Sequence, residues 1–558
     1  KPESYKLVID DSGIIILGAD EAGIFYAVET LLQFIELNQQ ESTNSHLVLP
    51  HLTINDWPDF PHRGVMIDIS RDKVPTMETL FVLIELLSSW KINQVQLYME
   101  HTFAYQGHEK VWKKASPFTG EEILELDAYC RERYIELVPN QNSFGHLHRW
   151  LIHDPYRELA ECPEGSENPF NFEIEPFSLC PIDPRSIEFL RDLYDQLLPY
   201  FSSQHFNVGL DETHDLGDGR SMEICAKKGK DNVYLEFLQR IHSLVVERGR
   251  IMQFWADIIL QYPETISELP KEIIPLIWGY EAEFPFDKQA KFLNDLGLAF
   301  YVCPGTSSWN SFAGRTENAI ANLKNAAIHG KRNNALGYLI TDWGDHGHLQ
   351  PLPISYLGIL IGAGLSWNVN VAAKLEELFE IPTLLNVHAF RDRAEVMGKI
   401  AYDLGNVYRK IEFIIPNMSG LFACLHYRKR NDSEENLADI ALDSLSIESL
   451  EKTHQHINDI VKSLSKAKMN RKDADLVIAE LQWVADILKF ACDMGIARLK
   501  VGSTKPLNDI PKDTRALLVD KLQDLITQRR HLWLKRNRPG GLDDSLDRLS
   551  RIISFLEK

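Results

Sequence analysis

The chain has 558 residues, of which 44% are hydrophobic and 25% are charged, a globular composition that excludes a disordered chain. At about 100–200 residues per domain, its length predicts two to four domains. The formal net charge of −21 argues against nucleic acid or an anionic membrane as the main partner, and no apolar run is long enough to predict a membrane span.

Residues 1–58 predict a small N-terminal α/β domain. Two strand-like runs, beginning at Tyr5 and Ile14, flank the turn residues 10–13, and a helical stretch follows from Glu21 to Glu36. The segment 55–62 is rich in proline and aromatic residues, which indicates a connection into a second domain.

A repeated pattern of strand, loop and helix begins at Arg63 and predicts eight strands. The predicted strands are Val65–Ile69, Gln94–Tyr98, Ile135–Pro139, Phe206–Asp211, Gln253–Asp257, Pro275–Trp278, Ala299–Cys303 and Leu336–Ile340. Several are continuous apolar or β-branched runs, as expected for strands buried on both faces. The pattern predicts a (β/α)₈ barrel over residues 59–372. A doubly wound open sheet is the alternative, and the lack of a Gly-rich phosphate loop counts against it.

Residues 373–558 predict an α-helical C-terminal domain, because helical periodicity continues there without strand patterns. Pro539 and two glycines force a turn in the segment 537–541. Trp533 and three basic residues lie beside this turn, which suggests that it docks on the acidic strand-end face of the barrel. A plain helix–helix turn is the alternative, and the sequence leaves open whether docking occurs within one chain or across a homodimer.

The carboxyl ends of the predicted strands are rich in polar residues, and a barrel enzyme places its active site at that face. The sharpest feature is Asp211-Glu212, because the buried run 205–210 leads straight into two acids. Adjacent strand residues point to opposite faces. Both acids therefore reach one pocket only if the strand ends at Asp211 and the chain then turns. A helix-capping Asp beside a solvated Glu is the alternative.

Aromatic residues also lie at or near the predicted strand ends. They are Trp255, Trp278, Trp309, Trp343 and Trp367. Aromatic walls suit the apolar faces of sugar rings, and carboxylates supply general acids and bases, so the pattern favours a carbohydrate pocket.

No cofactor is expected. The histidines form no tight ligand set; His346 and His348 are the best metal candidates, with solvent or substrate contact as the alternative.

The run 205–212, H-F-N-V-G-L-D-E, resembles the catalytic motif of glycoside hydrolase family 20, the β-N-acetylhexosaminidases. Residues 23–33 resemble the end of that family's small N-terminal domain, and residues 56–71 resemble the start of its barrel. The segment 144–146 stands where the family has Pro-Gly-His. The resemblance covers about residues 1–370 and implies an exo-acting, retaining enzyme that removes terminal β-linked N-acetylglucosamine or N-acetylgalactosamine from glycans.

The resemblance also implies a substrate-assisted mechanism, an exception to the two-carboxylate scheme. The substrate's 2-acetamido oxygen attacks the anomeric carbon and forms an oxazolinium ion, which water then opens with retention. Glu212 would protonate the leaving oxygen, and Asp211 would orient the acetamide and stabilise its developing positive charge. We expect each carboxylate to raise the pKa of the other, which would keep Glu212 protonated.

Further substrate-binding residues are expected: Trp309 comes from the aromatic pattern at the strand ends, and the others are implied by their position in the family pattern. These are Arg63, Glu100, His146, Trp255, Trp278, Tyr301, Trp309, Trp343 and Asp345. Arg63 matches an arginine that binds sugar hydroxyls, with an ion pair at the domain junction as the alternative. Tyr301 matches a tyrosine that binds the acetamide carbonyl, and Asp345 stands near a sugar-binding glutamate.

The chain departs from the family pattern after two predicted strands. After the second, the segment 99–106 replaces the usual S-D-D-x-G-W-R, so Glu100 would supply the missing carboxylate. After the seventh, the segment 301–310 lacks the usual hydroxyl-binding Asp. Discrimination at the sugar's 4-hydroxyl therefore stays open, and either N-acetylhexosamine is a candidate substrate.

Two other functions stay open. One is a catalytically silent sugar-binding protein on the same barrel, which the presence of both Asp211 and Glu212 disfavours. The other is a barrel hydrolase that uses two distant carboxylates. The sequence leaves the natural glycan and the compartment open: it begins at Lys1 without a signal-peptide pattern, which is compatible with a cytoplasmic or a secreted protein.

Overall fold

The N-terminal unit is a three-stranded antiparallel sheet covered by one long helix; the helix and two of the strands were predicted, and the third strand was not. The computed structural model describes residues 1–41, 48–167, 173–411, 413–426 and 437–558. The first elements are β1 (Tyr5–Asp10), β2 (Gly13–Gly18), α1 (Glu21–Glu41) and β3 (Leu52–Asp56). Strand β1 lies between the other two strands. Its alternate residues Tyr5, Leu7 and Ile9 are buried, which follows from the two-residue period of a strand.

Eight parallel strands form the barrel, and each overlaps the strand predicted at that place. They are β4 (His62–Asp68), β5 (Gln94–Tyr98), β6 (Glu136–Val138), β9 (His205–Asn207), β10 (Ile251–Trp255), β11 (Ile274–Trp278), β12 (Tyr301–Cys303) and β13 (Gly337–Asp342). A two-stranded hairpin, β7 (Ser166–Glu167) with β8 (Glu173–Ile174), lies outside it.

The ring of strands is nearly closed, which excludes the open doubly wound sheet. Successive barrel strands pair in chain order, and β13 returns to pair with β4. Strands β6 and β9 meet through a bridge between Asn140 and Asn207. The carboxyl ends of all eight strands therefore surround one face.

Helices lie in the segments that connect the barrel strands. They are α2 (Met77–Ser89), α3 (Glu109–Trp112), α4 (Gly120–Arg131), α5 (His148–Leu151), α6 (Pro184–Leu197), α7 (Met222–Lys228), α8 (Lys230–Glu247), α9 (Phe286–Asp295), α10 (Thr316–Arg332) and α11 (Tyr356–Trp367). The predicted start signals act as caps: Thr119 and Glu122 form a capping box on α4, and Asp183 caps α6.

Beyond the barrel, the described residues are helical and contain no strand. The helices are α12 (Leu375–Leu378), α13 (Ile381–Leu384), α14 (Met397–Leu404), α15 (Gly420–Leu425), α16 (Leu437–Asp443), α17 (Ile447–Val461), α18 (Ala474–Val501), α19 (Lys512–Arg536) and α20 (Leu542–Leu556). The predicted turn separates α19 from α20. The domain limits near residues 58 and 372 stay predictions.

None of the helices within the described ranges combines the length and the apolar character that crossing a bilayer needs.

Candidate active site

The two adjacent acids lie on a tight turn that follows β9. This strand ends at Asn207, so the prediction that it runs to Asp211 is wrong. The chain turns earlier, because Gly209 and Glu212 have φ angles of 73° and 51°, in the left-handed region that a strand does not use. An added Cβ on Gly209 would lie 2.1 Å from a neighbouring side-chain oxygen, so only glycine fits there.

Both acids reach one histidine at the carboxyl end of the barrel. The Nε2 atom of His146 lies 3.2 Å from Asp211 Oδ2 and 3.3 Å from Glu212 Oε2. Burial lowers the pKa of His146, but the two carboxylates outweigh burial and raise that pKa to about 10. The structure therefore brings together three of the predicted site residues, with the Nε2 atom of the histidine within 3.3 Å of both acids.

The same histidine lowers the pKa of Glu212, which was expected to be raised. Burial raises the pKa of Glu212, but the close contact and the charge of His146 outweigh burial and lower it to about 2. The expectation that the neighbouring acid keeps Glu212 protonated is therefore wrong for this arrangement. The two pKa shifts favour a proton on His146 over a proton on Glu212.

A third carboxylate fixes the turn. Asp257 Oδ2 accepts a hydrogen bond of 3.0 Å from the Glu212 backbone N–H, and its Oδ1 accepts one of 3.2 Å from Trp278 Nε1. Burial and the charge of Asp211 raise the pKa of Asp257 to about 8. Asp257 was not among the predicted site residues. The available signal was its position two residues beyond Trp255, at the end of β10.

Arg63 does not belong to this site. It is the second residue of β4, at the amino end of the barrel, where its Nη1 atom lies 2.7 Å from Glu3 Oε2 and its guanidinium lies 5.0 Å from the Trp367 ring centre. The sugar-binding role predicted for Arg63 is therefore corrected to the alternative, an ion pair at the domain junction. The physical reason is that the start and the end of one strand lie at opposite faces of a barrel.

Arg71, three residues beyond the end of β4, supplies the arginine at the site. Its Nε atom lies 3.3 Å from Glu100 Oε1, and its Nη2 atom lies 3.3 Å from His146 Nδ1. Its Nη1 atom donates to Asp68 Oδ2 at 3.1 Å. Its guanidinium also lies 4.9 Å from the Trp343 ring centre. The arginine is held from several sides, and 19% of its side chain remains exposed.

Two further predicted carboxylates lie around Arg71. Glu100 is buried and accepts a hydrogen bond of 3.2 Å from the hydroxyl of Tyr98; burial raises its pKa. Asp345 interacts with Arg71 electrostatically, and burial raises the pKa of Asp345 to about 6. Both residues are therefore placed where the sequence predicted sugar-binding groups.

Four of the predicted tryptophans form one aromatic group at the strand ends. Trp255 lies 5.8 Å from Trp343 between ring centres, and Trp278 stacks on Tyr280 at 5.3 Å. Trp309 meets Tyr280 edge-on at 5.0 Å. Trp343 Nε1 donates a hydrogen bond of 2.7 Å to the Tyr280 hydroxyl. Trp367, the fifth predicted tryptophan, packs against the N-terminal unit instead.

Tyr301 lies away from this aromatic group. As the first residue of β12, it points into the barrel interior at the amino end, where Gln94 Nε2 donates to its hydroxyl at 3.4 Å and the His62 ring stacks at 5.6 Å. The role predicted for Tyr301 in binding the acetamide is therefore corrected. Tyr280, at the end of β11, is the tyrosine that the structure places at the site.

Within the described parts of the chain, no group of three or more His, Cys, Asp or Glu residues is placed to hold a metal ion. The site is thus a set of acids, one histidine and one arginine beside an aromatic wall. Such a set can donate and accept protons, stabilise a cation and bind hydroxyl groups.

Comparisons with protein families and curated proteins agree on one family. Residues 60–307 match the model described as glycosyl hydrolase family 20, catalytic domain, and residues 1–57 match domain 2 of the same family. A β-hexosaminidase of Porphyromonas gingivalis is 24% identical over 285 residues, 46% of this chain and 36% of that protein. Human hexosaminidase D is 24% identical over 370 residues, 60% of this chain and 72% of that protein.

The matches span less than half of several relatives, for example 39% of β-hexosaminidase subunit A1 of Dictyostelium discoideum and 24% of lacto-N-biosidase of Bifidobacterium bifidum. Solved structures share the fold. A β-N-acetylhexosaminidase from Bacteroides fragilis matches with a TM-score of 0.53 at 19% identity, covering 68% of this chain and 82% of that one. Flavobacterium johnsoniae chitobiase matches with a TM-score of 0.56 at 18% identity, covering 99% of this chain and 86% of that one.

Proposed function

Because the chain belongs to glycoside hydrolase family 20, we propose that it is a retaining β-N-acetylhexosaminidase that acts on glycan ends by substrate-assisted catalysis. The observation that carries this proposal is the joint contact of Asp211 and Glu212 with His146 at the strand-end face. An acid, its proton source and a charge-stabilising carboxylate are thereby held in one small volume.

In the proposed reaction the 2-acetamido oxygen attacks the anomeric carbon as the bond to the leaving oxygen breaks. Asp211 stabilises the positive charge that develops on the acetamide nitrogen. Glu212 protonates the leaving oxygen with the proton held by His146, whose Nε2 atom lies 3.3 Å from Glu212 Oε2. Water then gives a proton to Glu212 and opens the oxazolinium ion, which restores the original configuration.

The sugar is proposed to bind between Arg71 and the aromatic wall. Arg71, with Glu100 and Asp345 beside it, offers charged groups to ring hydroxyls. Trp278 and Trp343 supply apolar surface for the acetamide methyl group and the sugar face. Terminal N-acetylglucosamine and N-acetylgalactosamine are both proposed substrates, since the sequence lacks the family's usual hydroxyl-binding Asp after the seventh barrel strand.

A substrate panel tests the proposal. The wild-type chain is assayed on aryl β-N-acetylglucosaminide, aryl β-N-acetylgalactosaminide and aryl β-glucoside at equal concentration. We expect turnover of one or both acetamido sugars and none of the glucoside, because only the acetamide supplies the nucleophile. Equal turnover of the glucoside would contradict substrate assistance and favour a hydrolase with two distant carboxylates.

One observation favours a second candidate, a sugar-binding protein without turnover. The pKa of Glu212 is lowered to about 2, so an unliganded site presents an ionised carboxylate rather than an acid. Calorimetry with N-acetylglucosamine separates the two candidates when it is combined with the panel. Binding without turnover of any acetamido substrate would support the second candidate, and turnover would exclude it.

A further inference from the structure

The C-terminal turn lies directly on the loop that carries Arg71. The Arg538 backbone N–H donates a hydrogen bond of 2.8 Å to Val74 O, and the Thr76 backbone N–H donates one of 2.9 Å to Arg536 O. These two bonds flank a β-bridge between Pro75 and Asn537. The turn between α19 and α20 thus pairs with the loop that follows β4.

The side chain of Arg538 ties the same turn to a second strand-end loop. It makes a two-pronged contact with Glu122, at 2.7 Å and 3.1 Å, and donates to Pro117 O at 2.7 Å. Its guanidinium also lies 4.2 Å from the Phe118 ring centre. These partners follow β5, so Arg538 joins the loops after the first two barrel strands through one planar group.

The two glycines of the turn permit this close approach. A Cβ added to Gly541 would lie 1.8 Å from Asp72 O, and one added to Gly540 would lie 2.2 Å from the carbonyl carbon of Ala115. Gly541 also has a φ angle of 74°, which favours glycine. The backbone of the turn therefore rests on Asp72, the residue next to Arg71.

A second arginine reinforces the contact from the other side. Arg149 Nη2 lies 3.0 Å from Asp72 Oδ1, and its Nη1 lies 3.2 Å from Asp544 Oδ2 at the start of α20. The loop after β4 is thus held between α20 and the segment that follows His146. On the C-terminal side of the contact, Arg538 and Asp544 lie outside the residues that the family models match. On the barrel side, Asp72 and Arg149 lie within them.

We propose that Arg538 is a positioning residue: it holds the loop 70–76 so that Arg71 stands between Glu100 and His146, ready to bind the terminal sugar. The inference rests on the proposed function, in which Arg71 contacts the sugar. Arg538 itself acts through the loop backbone. The helical region would then complete the barrel's site rather than merely pack against it.

Point substitution tests this more cleanly than truncation, because truncation near residue 530 would also remove the buried Trp533. The variants are Arg538→Ala, Arg71→Ala and the double variant. The matched control is Arg551→Ala on α20, whose side chain is 66% exposed. Thermal unfolding and circular dichroism confirm that each protein is folded before its kinetics are compared.

We expect Arg538→Ala to lower kcat/KM by about 10-fold, mainly through KM, since a displaced binding group costs rate even far from the chemistry. In the Arg71→Ala variant, adding Arg538→Ala should lower kcat/KM by less than about 2-fold, because the arginine side chain that Arg538 positions is already absent. Arg538→Lys should recover only part of the loss, since lysine keeps the charge and loses the planar fork. Arg551→Ala should match the wild type.

Equal losses from Arg538→Ala in both backgrounds would overturn the proposal, because they would indicate general destabilisation. No loss in either background would overturn it as well. If the wild type turns over no acetamido sugar, the proposed function fails, and the same variants are titrated with N-acetylglucosamine by calorimetry. Non-additive losses of affinity then support positioning by Arg538; additive losses, or no binding by the wild type, contradict it.

Discussion

The role proposed for His146, to store the proton that Glu212 uses, makes a quantitative prediction about pH. The variant His146→Asn removes the histidine while respecting its backbone, since residue 146 has a φ angle of 59° and asparagine tolerates that region well. In the wild type the pKa of His146 is raised to about 10, so the proton needed by Glu212 stays in the cluster up to that pH.

Without His146, the proton has to reside on Glu212 itself, whose ordinary pKa is 4.5. Burial then raises that pKa, and each pH unit by which the solution lies above the pKa leaves about 10-fold fewer carboxyl groups protonated. We therefore expect kcat/KM at pH 7 to fall by about 10- to 100-fold, within the range that general acid catalysis contributes. The loss should shrink as the pH is lowered to about 5.

The assay is the pH dependence of kcat/KM on an unactivated disaccharide, for the wild type, His146→Asn and the control His531→Asn on the exposed side of α19. The alkaline limb should move down by several pH units in His146→Asn and stay in place in the control. A uniform loss at every pH, with the alkaline limb unmoved, would refute the proton-store reasoning.

Three further predictions follow from the site. Asp211→Asn should lower kcat strongly with a smaller effect on KM, and it should bind a thiazoline analogue of the oxazolinium ion far more weakly; equal inhibition of both proteins would contradict its charge-stabilising role. Arg71→Ala should raise KM at least 10-fold at about constant kcat, whereas Arg63→Ala should lower thermal stability and leave KM unchanged; the reverse pattern in steady-state kinetics would restore Arg63 as the sugar-binding arginine. The pKa of Asp257 is raised to about 8 in the folded chain from an ordinary 3.8, so the folded state gains a proton relative to the unfolded state between those values and its stability falls as the pH rises through that window. Asp257→Asn should therefore lose less thermal stability than the wild type between pH 5 and pH 8, and an equal loss would argue against the raised pKa.

The barrel could be predicted because each of its strands can be recognised from a short run of residues in the sequence. Runs such as Ile274–Trp278 are apolar on both faces, so the sequence of the run itself marks a strand that is buried on both sides. Helix caps such as Thr119 are also local. The strand leading to the acids was predicted too long, since Gly209 sits in a conformation that ends it early and that only the fold reveals.

The wrong predictions for Arg63 and Tyr301 arise because the position of a residue along its strand was not known from the sequence. Arg63 is the second residue of β4 and Arg71 lies three residues beyond its end, so the two arginines lie at opposite faces of the barrel and only Arg71 reaches the proposed sugar site. Tyr301 likewise begins its strand, while Tyr280 follows the end of another. A pattern match fixes the residue type and its approximate place, but the strand boundary determines which face of the barrel it reaches.

The lowered pKa of Glu212 could not have been obtained from adjacency in sequence. Two neighbouring carboxylates were expected to raise each other's pKa, and they do lie together. The decisive group is His146, which comes from another loop and contacts both acids. Long-range contacts of this kind set the electrostatics of the site, while the acids themselves are visible in the sequence.

The claim that the substrate's own acetamide is the nucleophile is tested most directly by weakening that group. Aryl N-acetylglucosaminides carrying zero, one, two or three fluorine atoms on the acetyl methyl group are compared by kcat with the wild-type chain. We predict that kcat falls steeply with each fluorine, because electron withdrawal makes the carbonyl oxygen a poorer nucleophile. A kcat that is independent of fluorine number, or no turnover of the unfluorinated substrate, would contradict the claim.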